Sequence, residues 1–475
     1  MTGYAAPPGS IPTLEVPDLT GVGSAHLVGI GGAGMSGIAR LLLARGVSVA
    51  GSDLKDGPAL ALLRAAGARV VVGHRTEHVR GADVVIVSSA IRPDNREVSA
   101  ARDRGIPVLM RAQVLAALMR ERRGISIAGT HGKTTTTWMV AMILEAAGVE
   151  PTYVVGGDLN ESGSNARSGS GELFVAEADE SDGSFLLLEP ELAVVTNVEG
   201  DHLDFYGDVA QVEAAFTEFC GRARHVIVCA DDPGAMRVVR RAGTPHTTYG
   251  EAADAEARLT HVGISADGGG GTVVLPEGPT EIEIALPGLH YLLNATAAVT
   301  AARAVGVDPA EAAAALRRFT GVRRRYEHRG AERGAAFVDD YAHHPTEIAA
   351  TLAGARGTAP RRIVAVFQPH RYSRTAALWR ELGSSLAGAD LVVVTDVYGA
   401  GEMPLPGVSG KLLLDALLES SPRTRAVYLP SRAEIAPFLA REVRDGDLVL
   451  TLGAGDVTMV GEETLARMRE GNGHG

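Results

Sequence analysis

The chain has 475 residues, a formal net charge of −12, 45% hydrophobic and 21% charged residues. That length suits about three domains of ~150 residues, each with its own core. The acidic balance argues against nucleic acid or a membrane surface as partner, but not against a small anion held by clustered arginines.

Residues 1–20 are rich in Pro and Gly, lack a basic start, and read as a flexible tail rather than a signal peptide. Strands and helices then alternate, which predicts an α/β fold with mostly parallel sheets. Residues 21–111 read as a Rossmann-like N-terminal domain: strand His26–Ile30, helix Met35–Arg45, strand Val47–Gly51, helix Ala59–Ala66, then strands Arg69–Val72 and Val84–Val87. Between the first strand and helix, Gly29-Ile-Gly31-Gly32-Ala-Gly34 fits G-x-G-x-x-G, and Asp53 ends the next strand. Such a turn presents N–H groups to a diphosphate, and the acid suits a ribose. The motif fits a dinucleotide, a UDP-sugar or another nucleotide, or close helix–strand packing alone.

Residues 112–323 open with strand Ile125–Ala128, the loop Gly129-Thr130-His131-Gly132-Lys133-Thr134-Thr135-Thr136-Thr137, and a helix from Trp138 to about Ala147. A glycine turn at a helix start, followed by Lys-Thr, is a phosphate-binding arrangement. The lysine reaches β- and γ-phosphates and the threonine hydroxyl holds Mg²⁺. Ile127 stands where the longer form of this motif has its first glycine. Lys133 is one of only three lysines, with Lys55 and Lys411. A second, triphosphate-type site has no use in a nicotinamide oxidoreductase, which weakens the dinucleotide reading of the front turn.

Strand Leu173–Glu177 runs into Glu177-Ala-Asp-Glu-Ser-Asp182, and strand Leu192–Thr196 leads to Asp201-His202. Carboxyl ends of parallel strands face the ligand crevice, so Glu177 can join Thr134 on a cation. His202 is an unusual ligand for a hard cation and also reads as a turn residue. Helix Val209–Cys220 and strand His225–Val228 follow. Cys220 and Cys229 form no metal pattern and fit a reducing cytoplasm. Arg258–Leu286, around four glycines, reads as small antiparallel hairpins, with Glu251–Gly271 the most loop-like stretch. Helices Tyr291–Val305 and Pro309–Arg318 close the domain, and Gly321–Arg325 reads as a hinge.

Residues 324–475 read as a second Rossmann-like domain: strand Ala335–Asp339, helix Thr346–Ala355, strand Arg361–Phe367, helix Thr375–Ala387, strands Leu391–Thr395 and Leu448–Leu452. Asp339-Asp340-Tyr-Ala-His343-His344-Pro345 ends its first strand, and Phe367-Gln-Pro-His-Arg371-Tyr-Ser-Arg374 ends the next. Guanidinium groups at a positive helix start point to an anionic ligand that offsets them. No apolar run reaches the ~18 residues of a membrane span.

These clusters, in this order from about residue 24 to 460, resemble the Mur ligases. The resemblance rests on the two glycine motifs, Glu177–Asp182, Thr196-Asn197 leading to Asp201-His202, Asn294-Ala295, Arg324-Arg325, Asp339–Pro345 and Phe367–Arg371. It implies three domains, which bind UDP-N-acetylmuramate, ATP and an amino acid in turn, the third closing the cleft. The implied reaction joins L-alanine to the lactyl carboxylate of UDP-N-acetylmuramate through an acyl-phosphate, with ATP and Mg²⁺ as cofactors, in cytoplasmic peptidoglycan precursor synthesis. A tripeptide-recycling ligase of the same family is the near alternative; an NAD-dependent oxidoreductase or a plain ATPase or kinase is more remote. By position, the resemblance implies ATP contacts at Gly129, Thr130, His131, Gly132, Lys133, Thr134, Thr135, Asn294, Arg325 and Asp340. It implies Mg²⁺ at Thr134, Glu177 and His202, and UDP-sugar contacts at Gly31, Gly32, Gly34, Ser36, Asp53, Arg371 and Arg374. Catalytic roles fall to Lys133, His202, His343 and His344, the base for the incoming amine lying among the histidines. A monomer or homodimer is expected, without nucleic-acid or membrane partners. The chain departs from the family pattern at Tyr291, where an Asn is usual. Val209–Cys220 also lacks the lysine that later Mur ligases carbamoylate; the alanine-adding branch shares this absence, and Phe216 is the expected counterpart position.

Overall fold

Short apolar strands, each followed by a helix, set up parallel sheets whose carboxyl ends carry the polar motifs. The computed structural model describes residues 15–156 and 165–470; most of the expected tail, residues 1–14, lies outside them. These residues form two compact units. One holds the described residues through Thr260 with Thr272–Ile282 and Leu293–Phe319; the other holds His261–Gly271, Glu283–Leu292 and the described residues from Thr320.

In the first unit, a five-stranded parallel sheet runs in the order Arg69–Val72, Ser48–Asp53, Ser24–Val28, Val84–Val87, Val108–Met110. The order reverses at Ser24–Val28, and a ligand crevice opens at such a switch point. The glycine turn leaves that strand. In the central sheet, Arg123–Ala128 pairs in parallel with Leu192–Val195 on one side and Leu173–Glu177 on the other. Gly129, Glu177 and Thr196 therefore share one edge. The helix after the loop is Lys133–Ala146, starting five residues earlier than its apolar pattern predicts. Thr135, Thr136 and Thr137 are buried in it, and the Thr137 hydroxyl donates to the Lys133 carbonyl at 2.8 Å. That bond satisfies the buried hydroxyl, and burial rather than propensity holds the threonines in the helix.

The stretch expected to be most loop-like is largely strand. Ala257–Ser265, Gly268–Leu275 and Gly278–Ile284 are neighbours in the sheet, joined by two-residue connections, which only antiparallel strands allow. The four glycines lie inside the middle strand rather than at its turn. A side chain at Gly268 would come within 2.1 Å of the Ile284 carbonyl, so glycine there permits close strand approach.

The second unit carries a six-stranded sheet in the order Glu327–Glu332, Ala335–Asp340, Asp447–Leu452, Arg362–Phe367, Leu391–Val394, Arg425–Tyr428. The first pair is antiparallel and the rest parallel. The two edge strands are not among the sequence-based expectations: Glu327–Glu332 is polar, Arg425–Tyr428 has only three apolar residues, and both are only partly covered. Asp340 and Phe367 end parallel strands that flank Asp447–Leu452, which places their motifs on one sheet edge. Among the described residues no helix is long and apolar enough to cross a membrane.

Candidate active site

Two glycines shape the phosphate loop. Gly132 has φ +82° and precedes the helix; a side chain there would meet Asn294 Oδ1 at 2.6 Å. At Gly129, φ +136°, a side chain would strike Thr196 Oγ1 at 2.0 Å. The loop is pinned by the strand end beside it. Thr130 N–H donates to the Asn197 carbonyl at 3.0 Å and His131 N–H to Asn197 Oδ1 at 2.8 Å. Thr196 Oγ1 donates to the His131 carbonyl at 2.5 Å. The main-chain amides of Thr130 and His131, expected among the ATP contacts, are thus engaged within the protein. The helix start from Gly132 through Thr135 offers the N–H groups that have no partner inside a helix.

Lys133 is folded back into this loop. Its Nζ donates to the Gly129 carbonyl at 2.6 Å, the Thr130 carbonyl at 3.2 Å and Glu180 Oε1 at 2.9 Å. Burial alone would lower its pKa, but the carboxylates of Glu180, Asp179 and Glu177 outweigh that and hold the ammonium above its ordinary value. Burial pushes Glu180 up to about 7, only partly opposed by Lys133. The Thr134 hydroxyl lies 3.0 and 3.1 Å from the two Glu177 oxygens, and Gly156 N–H donates to Glu177 Oε2 at 2.8 Å. His202, with φ +53°, sits at the start of the turn Leu203–Tyr206, its Nε2 3.9 Å from Glu180 Oε1 and 3.7 Å from Asp201 Oδ2. Phe216, at the position expected to match a carbamoylated lysine, is fully buried and packs edge-on against Phe185 at 5.3 Å. That apolar setting has no place for a carbamate charge.

Beside this cluster opens a cavity of about 690 Å³, a size typical of small-molecule sites. Gly29, Gly31, Gly32, Gly34 and Asp53 line it on one side, Glu177 and Asp179 on another. Asp53 Oδ2 accepts the Gly31 N–H at 2.9 Å. Ser36, expected here, does not line the cavity: it is buried, and its hydroxyl donates to the Ala33 carbonyl one turn back at 2.9 Å. Polar lining residues not given a role from sequence include Lys55, Ser88, Ser89 and Arg111. Arg111 directly follows the strand Val108–Met110; an arginine at the carboxyl end of a parallel strand is the signal that marks it. Its guanidinium stands 3.0 Å from where a side chain on Gly34 would begin. Burial raises the pKa of Asp179, but Lys133 and Arg111 together hold it below its usual value.

In the second unit, Asp340 is buried and already well satisfied. It accepts from Tyr326 N–H and Ala342 N–H, both at 2.8 Å, and from the Tyr291 hydroxyl at 3.3 Å. Burial pushes its carboxyl up to about 6 against the pull of Arg325. Arg325 lies 3.7 Å from Glu347 and 5.1 Å from the Tyr341 ring centroid. Its neighbour Arg324 is tied to the backbone at Gly453 and to Asp339, a structural role. His343 Nδ1 is 2.9 Å from the Tyr341 carbonyl, and buried His344 precedes the helix Pro345–Gly357. Two strands along the same sheet edge, Arg371 occupies the N-cap position of the helix Tyr372–Ser385 with φ +69°, and Arg374 lies in its first turn. Arg371 Nε is 3.8 Å from Glu402, while His343 meets His370 edge-on at 5.9 Å and His370 stacks on Tyr398 at 5.7 Å.

Three family models match this chain in sequence: the Mur ligase catalytic domain over residues 24–123, the Mur ligase middle domain over 127–302, and the Mur ligase glutamate ligase domain over 324–455. A UDP-N-acetylmuramate–L-alanine ligase of Rubrobacter xylanophilus is 49% identical over 452 residues, covering 93% of this chain and 99% of its own. One of the same name from Kineococcus radiotolerans is 50% identical, covering 94% and 97%. The crystal structure of a UDP-N-acetylmuramate–alanine ligase from Thermotoga maritima matches with a TM-score of 0.80 at 30% identity, covering 94% of this chain and 99% of that one. A murein peptide ligase from Psychrobacter arcticus matches less closely, with a TM-score of 0.69 at 26% identity over 94% and 99%. The chain belongs to the Mur ligase family.

Proposed function

We propose that this enzyme uses ATP to join L-alanine to the lactyl carboxylate of UDP-N-acetylmuramate, releasing ADP and phosphate. One observation carries the reading beyond kinship: the cavity under the front glycine turn is walled on another side by Glu177, the carboxylate that holds Thr134 of the phosphate loop. A nucleotide-sugar bound at the turn therefore extends toward the γ-phosphate position.

In this reading the glycine turn, Asp53 and Arg111 hold the UDP part. The sugar carboxylate attacks the γ-phosphate, and Lys133 with the N–H groups from Gly132 to Thr135 stabilises the charge in transfer. Thr134 and Glu177 are oxygen donors, the kind Mg²⁺ prefers, and their two side chains converge, so they fit that ion; His202, near Glu180 and Asp201, would be a further ligand. A bound Mg²⁺ would neutralise phosphate charge. Asn294, Arg325 and Asp340 serve the nucleoside end of ATP, and Arg371 and Arg374 the anionic groups of sugar and amino acid. The neutral amine then attacks the acyl-phosphate, a proton leaving to His202, His343 or His344, and phosphate departs. The two buried free thiols suit a reducing cytoplasm.

The test is phosphate release from ATP in the presence of UDP-N-acetylmuramate, compared across L-alanine, glycine, L-serine and the murein tripeptide. Release fastest with L-alanine is expected. Preference for the tripeptide would move the enzyme to the recycling reaction, and release without any UDP-sugar would contradict both.

A further inference from the structure

The front sheet carries a second polar cluster that does not line the cavity. Glu97, in the first turn of the helix Arg96–Asp103, is fully buried. Three imidazoles close on it. His78 Nδ1 is 2.6 Å from Oε1, His74 Nδ1 3.2 Å from Oε2 and His26 Nε2 3.4 Å from Oε2. The Ser52 hydroxyl donates to Oε2, and Arg75 N–H to Oε1 at 3.3 Å. The nitrogens aim at two carboxylate oxygens rather than at a shared point, and the shortest contact leaves no room for an ion between. This is a hydrogen-bonded cage and not a cation site.

A buried carboxylate costs several kcal/mol unless its partners compensate. Burial would raise the pKa of Glu97, yet the close His26 imidazole and the Ser52 bond hold it down at about 2. The charge is therefore kept, close behind a turn that must accept an anion. The imidazoles screen it there.

Ser52 links the cage to the turn. Its hydroxyl also lies 2.9 Å from His74 Nδ1. Its carbonyl accepts Gly29 N–H at 2.8 Å and Ile30 N–H at 3.0 Å, and the adjacent Asp53 carboxylate accepts Gly31 N–H at 2.9 Å. Three successive amides of the glycine turn thus hang on Ser52 and Asp53, and the Ser52 side chain hangs on Glu97.

We propose that Glu97, caged by His26, His74 and His78, is a positioning residue that acts through Ser52 to set the glycine turn for the diphosphate of the UDP-sugar. This rests on the reading of the cavity as the UDP-sugar site.

The experiment uses the full-length enzyme with Glu97→Gln, Ser52→Ala and the double variant. It reads KM for UDP-N-acetylmuramate, KM for ATP, kcat, melting temperature, and calorimetric binding of UDP-N-acetylmuramate and of UDP. Each single variant should raise KM for the UDP-sugar about fivefold or more, with KM for ATP and kcat within about twofold. The double variant should be no worse than the poorer single, as for residues on one path. Lower melting temperatures with an unchanged KM would make the cage merely structural and overturn the proposal. If Glu97→Gln does not fold, Ser52→Ala decides alone. Wild type that binds neither UDP-N-acetylmuramate nor UDP would remove the underlying reading and the proposal together. Wild type that binds, with variants binding equally, would remove the proposal only.

Discussion

Lys133 Nζ lies 2.8 Å from Glu180 Oε2 and 2.6 Å from the Gly129 carbonyl, so the one lysine of the phosphate loop is folded back on its own loop and a buried acid. An ammonium in this position is already desolvated and charged, and an incoming γ-phosphate has to compete with Glu180 for it. A phosphate brings stronger, multiply charged acceptors, so the exchange favours the ligand.

Replacing Lys133 by Ala should lower kcat by about 10²–10³-fold, the usual cost of removing one group that stabilises developing charge. Binding of UDP-N-acetylmuramate should stay within about twofold. Steady-state phosphate release and calorimetry check the two halves; near-normal turnover would end this role for Lys133.

Thr134 and Glu177 face each other at 3.0 Å. If they share a cation, Thr134→Ala and Glu177→Gln should each shift the Mg²⁺ concentration for half-maximal activity upward, by about tenfold. Titrating Mg²⁺ at saturating ATP and sugar measures the shift. Lost activity at every Mg²⁺ concentration, with no shift, would speak for a purely structural pair.

Tyr291 stands where the family usually has Asn, and its hydroxyl reaches Asp340 Oδ2 at 3.3 Å. The polar contact is kept within the second unit rather than lost. Tyr291→Phe removes a bond of about 0.5–1.5 kcal/mol, which predicts a two- to tenfold rise in KM for ATP, in the same units of RT, with little change in kcat. An unchanged KM for ATP would show that Asp340 does not depend on Tyr291.

Glu97 has its pKa lowered to about 2 in the folded chain from an ordinary 4.5. A carboxylate depressed by folding stabilises the protein above its unfolded pKa, and that contribution is lost as pH falls through the folded value. The melting-temperature gap between wild type and Glu97→Gln should therefore be full above about pH 5 and shrink toward pH 2. A gap that widens on acidification would contradict the assignment of charge to Glu97.

What could be read in advance had a local pattern. The glycines at Gly29–Gly34 and Gly129–Gly132, Lys133 and Glu177 follow apolar strands directly, so the strand fixes their edge. The helix start at Lys133 differs from the expected one because threonines are poor helix formers, and only their tertiary burial overrides that. The strand Gly268–Leu275 was hidden because its glycines look like a turn until the neighbouring Ile284 carbonyl is seen. Arg111 carries a legible signal, an arginine directly after a parallel strand, whereas the Glu97 cage carries none. Glu97 meets Ser52 across 45 positions, and its histidines come from the first strand, at His26, and from the loop that holds His74 and His78. Pairings of that range carry no periodicity in the chain.

The central claim is that a sugar carboxylate receives the γ-phosphate beside Lys133. With ¹⁸O in the lactyl carboxylate of UDP-N-acetylmuramate, one carboxylate oxygen must end in phosphate when the amine displaces it. Mass analysis of the phosphate released on turnover with L-alanine should therefore find one ¹⁸O per phosphate derived from labelled oxygen. Phosphate free of ¹⁸O, with the amide still formed, would contradict the account.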